Sequence, residues 1–512
     1  MFYLLREFLL WASEQTKLPI EQVQFIFCML LNFPLGAVYR TLLHPRRVSP
    51  EVRLLVSLTW GLIIGWICFG SELLRLIVVS TLCYSLTWRV NPKDVHKVVF
   101  VVSFICLSAA QLYRMFVEYG INRFDYSGRL MVITQKVTYV AFSLHDGLGR
   151  KENELTEEQK EHRIKRMPSF LEYSGYIFHH SMLLVGPVCS YKEYIDFIEG
   201  RDIAQAMIKG HKEPSPMVPT LQKFASSLLC VILFLLGSKV FPFELNADPH
   251  FIANSSFLWR MAVSFFIMFI ARLKYYFAWI IADAGNNACG LGFNGYDAKG
   301  EELWNGVTNV NVIELETSTN FRRMIQNWNM TTNLWLRRTV YDRVSHLPPY
   351  QRTLVTYVVS TIWHGFYPGY YLTFIVAVLI VIASRKVRYA FGHFFQSSSP
   401  VINSLVELLK WVTCNVVFGS YGFTPFLLLR LDLSLTFYRS TYFIVHILLI
   451  GAIIFIPGGR PKSSHEAKTV NGAVTSQQVR QEVQTESHKD ASETRIANNN
   501  ALFRHNRSAK LS

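Results

Sequence analysis

Apolar residues fall along this chain in blocks near the length that crosses a bilayer, roughly 20 residues each. The blocks occupy 26–40, 53–69, 71–88, 98–113, 131–144, 170–190, 219–241, 257–282, 351–365, 367–384, 405–428 and 439–457. Several are short or interrupted by Pro and Gly, so the pattern predicts roughly ten to twelve helices, some re-entrant or broken. The expected fold class is therefore an all-α polytopic membrane protein. Residues 1–19 begin MFYLLREFLLWASEQTK, without a secretory cleavage site, and read as a retained amphipathic helix lying in the interface. The membrane body covers 20–457. Beyond it, 458–512 turns to Ser, Thr, Asn, Gln and mixed charge, a composition expected to stay disordered.

Composition agrees with the pattern. Hydrophobic residues make up 51% of the 512 and charged ones only 17%, against roughly a quarter in soluble domains. The net charge of +15 sits largely in connecting loops: His44–Arg47, Lys151–Arg166, Lys209–Lys212 and Arg385–Arg388. Such bands mark cytosolic faces and anionic headgroups, or serve a phosphate-rich ligand. The eight cysteines lie far apart, with no C-x-x-C and no His/Cys metal spacing, so neither a disulfide framework nor a metal site is expected. A proton-coupled transporter would need inverted repeats and acidic intramembrane partners, and the sequence shows neither.

Three hydrophilic stretches, 145–172, 191–218 and 283–350, interrupt the body; the third is long enough to contain elements of its own. Within it, FRRMIQNWNMTTNLWLRRTVYDRVS (321–345) carries helical spacing. Phe321, Ile325, Trp328, Thr332 and Trp335 form one face; Arg322, Gln326, Asn329, Asn333 and Arg337 form the next. A single helix is predicted, suited to lining a polar chamber, with uncharged hydrogen-bonding amides at its centre. Asn254-Ser-Ser, between two apolar spans, is a better glycosylation candidate than Asn329-Met-Thr.

A second helix, QRTLVTYVVSTIWH (351–364), carries Thr353, Thr356, Ser360 and His364 on one stripe. Gly365 ends it and Pro368–Gly369 turns the chain into the next span. An ionisable group at membrane depth is costly and usually has a task. His364 reads either as a packed residue bonded to a neighbouring hydroxyl or as a general base.

These residues resemble a known family. WHGFYPGYYLTF (363–374) resembles the histidine motif of the membrane-bound O-acyltransferases, in their lysophospholipid acyltransferase branch, with Trp363, His364, Gly369, Tyr370 and Phe374 matching. WNMTTNLWL (328–336) resembles its asparagine motif, and RMPSFLEYSGYIFHHSMLLVGPVCSYKEYIDFIEG (166–200) a third family segment. The resemblance implies the family fold around a central catalytic chamber. It also implies acyl transfer from acyl-CoA, a co-substrate with no cofactor, to the free hydroxyl of a lysophospholipid in the endoplasmic reticulum membrane. His364 would be the base and Asn329 or Asn333 the amide, the Trp-Asn context favouring Asn329. Trp328, Trp335, Ser360 and Trp363 would lie against substrate, Ser360 and Thr361 could orient the imidazole, and Arg322 and Arg337 would face CoA phosphates. No metal and no nucleic acid is implied. The HDG (145–147) and RMPSFLEY (166–173) contexts look nearest to enzymes of lysophosphatidylethanolamine and lysophosphatidylserine with unsaturated donors. Lysophosphatidylcholine or lysophosphatidylinositol, then sterol, diacylglycerol or protein acceptors, are the alternatives.

Overall fold

In a computed structural model of the protein, residues 2–117, 119, 125–392 and 399–457 are described. The segment expected to be a disordered tail, 458–512, lies outside them. Helices α1 (Phe2–Thr16), α2 (Ile20–Thr41), α3 (Pro50–Phe69), α4 (Leu73–Arg89), α5 (Val95–Val117) and α6 (Ser127–Leu144) come first. Four short ones follow: α7 (Glu157–His162), α8 (Phe170–Ile177), α9 (Tyr191–Glu199) and α10 (Arg201–Ile208). Then come α11 (Met217–Val240), α12 (Pro249–Asn254), α13 (Phe257–Cys289), α14 (Val312–Glu316), α15 (Phe321–Gln326) and α16 (Met330–Thr339). The C-terminal part holds α17 (Pro349–His364), α18 (Pro368–Phe391), α19 (Pro400–Val412), α20 (Thr424–Leu428), α21 (Leu431–Ser440) and α22 (Ile444–Phe455). Among the described residues, Tyr296 and Glu302 form an isolated β-bridge and there is no longer strand.

By length and composition, seven helical stretches among the described residues are able to cross a membrane, or eight if the pair α21–α22, bent by 78°, counts as one span. The remaining predicted blocks depart from simple spans for identifiable reasons. The block 170–190 is helical only over α8, where Ser169 caps the first turn and Glu172 answers it. The chain then runs through an irregular, almost wholly buried stretch. Non-helical backbone at such depth is tolerated only when protein satisfies it. Here the fully buried Lys136 of α6 donates from Nζ to the carbonyls of Tyr176 (2.9 Å) and Ile177 (3.1 Å). Gly61 of α3 completes the seat, since a Cβ there would stand 1.7 Å from the Phe178 carbonyl oxygen.

Two apolar cores result. One gathers buried residues of α2–α6, α8, α9 and the C-terminal part of α13 together with Trp335 and Trp363; the other joins α11, the rest of α13, α14, α15, α18 and the segments from Cys414 to Leu449. Helices α16 and α17 stand at the seam between them.

Candidate active site

The helix predicted over 321–345 is broken. α15 ends at Gln326, α16 begins at Met330, and a 3-10 turn takes Tyr341–Val344. The break is backbone-driven. Asn329 adopts the left-handed region (φ +48°, ψ +52°), which asparagine tolerates better than most non-glycine residues. The loop segment 309–311 lies alongside: Asn311 N donates to the Asn327 carbonyl at 3.2 Å and Met330 N to the Asn309 carbonyl at 2.8 Å. The aromatic face and the polar ladder are therefore not two straight stripes, and they converge in part on one chamber.

That chamber is a cavity of about 350 Å³ lined by Trp328, Asn329, Asn333, Arg337, Ser360 and His364, with Thr353, Thr356, Tyr357, Phe374 and Phe426 among the remaining walls. The hydroxyl stripe of α17 faces it as the spacing predicts. Three expected residues do not line it. Trp335 is fully buried against α6, its indole N–H donating to Thr138 Oγ1 at 2.9 Å. Trp363 is buried too, donating to the Met131 carbonyl at 3.1 Å. Both tryptophans anchor the helices that carry the polar groups. Arg322 sits exposed on α15 outside the lining. Thr361 Oγ1 donates to the Tyr357 carbonyl at 2.7 Å, within its own helix, and so does not orient the imidazole.

The two asparagines differ in what their amides do. Asn333 Nδ2 donates to the carbonyls of Ile325 and Trp328, both at 2.7 Å, holding the end of α15. Asn329 instead accepts, at Oδ1, a hydrogen bond from Asn309 Nδ2 at 3.1 Å. Asn309, 3% exposed, accepts in turn from Thr331 N (3.0 Å) and Thr331 Oγ1 (2.7 Å). A backbone N–H can only donate, so it fixes which end of the Asn309 amide points where. That choice fixes Asn329, leaving its NH₂ as the group offered to the cavity. The sequence carries no sign of Asn309, which lies in a loop outside any periodic element.

His364 ends α17, and Gly365 follows with φ +125°, a conformation that demands glycine. The imidazole is held by rings: Trp363 at 4.7 Å, Phe426 at 5.1 Å, Phe374 at 5.5 Å and Tyr370 at 5.8 Å between centroids. From α5, Gln111 Nε2 donates to the Trp363 carbonyl at 2.7 Å, clamping the backbone just before the histidine.

One end of the cavity is charged. Arg337 lines it and pairs with Glu158 (3.5 Å) and Asp342 (3.4 Å). Arg338 donates from Nε to Glu158 at 2.8 Å and meets His162 Nε2 at 2.8 Å. Burial acts to raise Glu158, but its hydrogen bond to Arg338 and the nearby guanidinium charges prevail and hold the carboxyl below its ordinary range. Burial, reinforced by the Arg338 charge, pushes His162 down. The opposite wall is apolar: Trp328 packs edge-on against Trp279 at 4.8 Å and borders a smaller cavity of about 60 Å³ with Met268, Tyr275 and Phe423.

A half-buried histidine and a donor amide open onto one chamber with a charged and an apolar end, an arrangement suited to group transfer within a membrane. The sequence profile described as MBOAT, the membrane-bound O-acyltransferase family, matches residues 99–422. The chain is 38% identical over 464 residues to membrane-bound glycerophospholipid O-acyltransferase 2 of Gallus gallus, covering 89% of this chain and 88% of that protein. It is 36% identical over 455 residues to membrane-bound glycerophospholipid O-acyltransferase 1 of Mus musculus (87% and 91%), and 30% identical over 467 residues to a lysophospholipid acyltransferase of Saccharomyces cerevisiae (87% and 75%). The chain belongs to the membrane-bound O-acyltransferase family and is a multi-pass O-acyltransferase.

Proposed function

We propose that the protein transfers a fatty acyl group from acyl-CoA to the free hydroxyl of a lysophospholipid, with lysophosphatidylethanolamine and lysophosphatidylserine as favoured acceptors and unsaturated acyl-CoA as donor, in the endoplasmic reticulum membrane. The observation that carries the reading is the single cavity onto which the Asn329 amide and the His364 imidazole both open.

In this mechanism His364 takes the proton of the acceptor hydroxyl as its oxygen attacks the thioester carbonyl. Asn329 donates to the oxygen on which negative charge develops, a contribution of about 3 kcal/mol for a well-placed donor. Collapse forms the new ester and breaks the C–S bond, and the departing CoA thiolate recovers the proton from His364. A thiolate leaves readily, so one base and one amide suffice. Arg337, at the charged end of the cavity, is the candidate for the CoA phosphates. The apolar wall around Trp328 suits the acyl chains. Asn329 is preferred to Asn333 because both hydrogens of the Asn333 amide are committed to backbone carbonyls.

The test is acyl-CoA-dependent acylation of lysophospholipids in membranes holding His364→Ala, Asn329→Ala or Asn333→Ala at matched expression. Loss of turnover is expected for the first two, by about 100-fold or more for Asn329→Ala; full turnover in His364→Ala would end the assignment. A matrix of lysolipids against acyl-CoA species on purified protein tests the acceptor and donor preferences.

A further inference from the structure

A second cavity, of about 720 Å³, shares no lining residue with the first and lies where the start of α13 meets the end of α21. Connectivity fixes its side of the protein. The 209–216 loop, which leads into α11, touches the basic HPRR loop through Glu213 and His44 (3.0 Å). The same loop accepts from Tyr296, just past the end of α13, at Lys212 O (2.8 Å). α11 packs along α13 between these points, so residues 241–256 and the second cavity lie at the far end. The charged mouth of the catalytic cavity is on the basic side. His162 next to Arg338 reaches Ser190 at 3.1 Å, and Gly200 at the end of α9 abuts Pro45.

Arginine is disfavoured on the face away from the basic loops, yet two face this cavity. Arg260 is 9% exposed; its Nη1 donates to the carbonyls of Ile252 (2.8 Å) and Ser255 (2.9 Å), its buried Nε has no partner, and its guanidinium lies over the Tyr442 ring at 5.8 Å. Arg439 is exposed at the end of α21. Among the described residues neither has a carboxylate at ion-pair distance. Of the acids on the neighbouring segments, Asp248 caps α12 through Phe251 N at 2.6 Å, Asp432 pairs with Arg430 at 2.6 Å, and the exposed Glu244 makes no ion pair with either arginine. Ser255 and Ser256 add hydroxyls, and the N-terminal end of the 33-residue α13 contributes the positive pole of its dipole. The rim is greasy: the lining Tyr442 is exposed, as are Leu258 and Trp259 next to the lining Phe257. Two unmatched cations with hydroxyls, ringed by apolar side chains at a membrane boundary, fit a phosphate that carries acyl chains.

We propose that this cavity binds the headgroup phosphate of an anionic glycerophospholipid from the leaflet opposite the catalytic mouth. The site is distinct from that of the acyl acceptor and does not depend on the reaction proposed above. Two cations favour lipids with net negative charge over zwitterionic ones.

The test uses purified full-length protein with phosphatidylglycerol, phosphatidylcholine or inorganic phosphate, read by native mass spectrometry and thermal melting. Wild type is expected to retain phosphatidylglycerol over phosphatidylcholine by about ten-fold, the worth of one charge-assisted contact. Arg260→Gln also removes two loop contacts, so Arg439→Gln is the informative variant. It should lose the preference while keeping wild-type acyl transfer, and Arg439→Lys should recover most of it. Equal retention of both lipids, or an unchanged preference in Arg439→Gln, overturns the proposal. Stabilisation by inorganic phosphate equal to that by lipid overturns the lipid assignment in favour of a free-anion site.

Discussion

Asn309 Nδ2 donates to Asn329 Oδ1 at 3.1 Å while Asn309 Oδ1 accepts from the backbone N–H of Thr331 at 3.0 Å. One side chain thus serves the start of α16 and the orientation of the amide beside it. The two duties separate in Asn309→Asp, which keeps the acceptor and loses the donor. In that variant kcat is expected to fall about ten-fold or more, because the new carboxylate draws the Asn329 NH₂ toward itself and away from the cavity, and the melting temperature to fall as well, because position 309 is only 3% exposed. Asn309→Ala should lose both activity and stability. Unchanged kcat in Asn309→Asp, with Asn329→Ala inactive, would confine Asn309 to a structural role.

Gln111 holds the carbonyl of Trp363 at 2.7 Å, next to a glycine at φ +125°. Gln111→Leu removes that donor and frees the last turn of α17. Displacing a reacting group by about 1 Å can cost up to 100-fold, so kcat should drop by about 10- to 100-fold with KM changed little. Steady-state kinetics at matched protein concentration decides it.

Gly369 sits where the chain turns into α18, its N–H donating to the Leu429 carbonyl at 2.8 Å. A Cβ there would stand 2.1 Å from the Pro425 carbonyl oxygen and 2.9 Å from Leu429 Cα, both backbone atoms. Gly369→Ala must therefore push α20 away from α18. Overpacking of this kind costs about 1–3 kcal/mol, and a lowered melting temperature of the detergent-solubilised protein is the expected reading.

At the mouth, Glu158 is held below its ordinary carboxylate range because Arg338 outweighs its burial. A depressed folded pKa stabilises the protein above the unfolded value, about 4.3 for glutamate, and that stability disappears as pH falls through the folded pKa. Glu158→Gln should thus lower the melting temperature near pH 7. The gap between variant and wild type should close progressively below about pH 4. The effect is modest, since the carboxylate remains one-third exposed (33%).

Much of the architecture was legible because a bilayer admits few solutions. A span must satisfy its own backbone, and the apolar blocks reflect that constraint directly. The stripe from Thr353 to His364 was legible for the same reason, since a regular helix converts spacing into facing. Trp335 and Trp363 lie outside the cavity lining, because periodicity says which side a ring is on, not which neighbour claims it. Thr138 and Met131 claim them, from α6.

By itself, then, the chain determined an all-α membrane protein, the helix that presents His364, and the two asparagines worth weighing. Local rules of period, capping and hydropathy act within a few turns and need no partner. Only the tertiary structure decided that the 321–345 segment breaks at Asn329, that Asn333 is spent on the Ile325 and Trp328 carbonyls, and that Asn309 orients the amide left to face the cavity. Those outcomes depend on contacts between residues five to twenty-two positions apart, where no repeat in the sequence records which hydrogen bond wins.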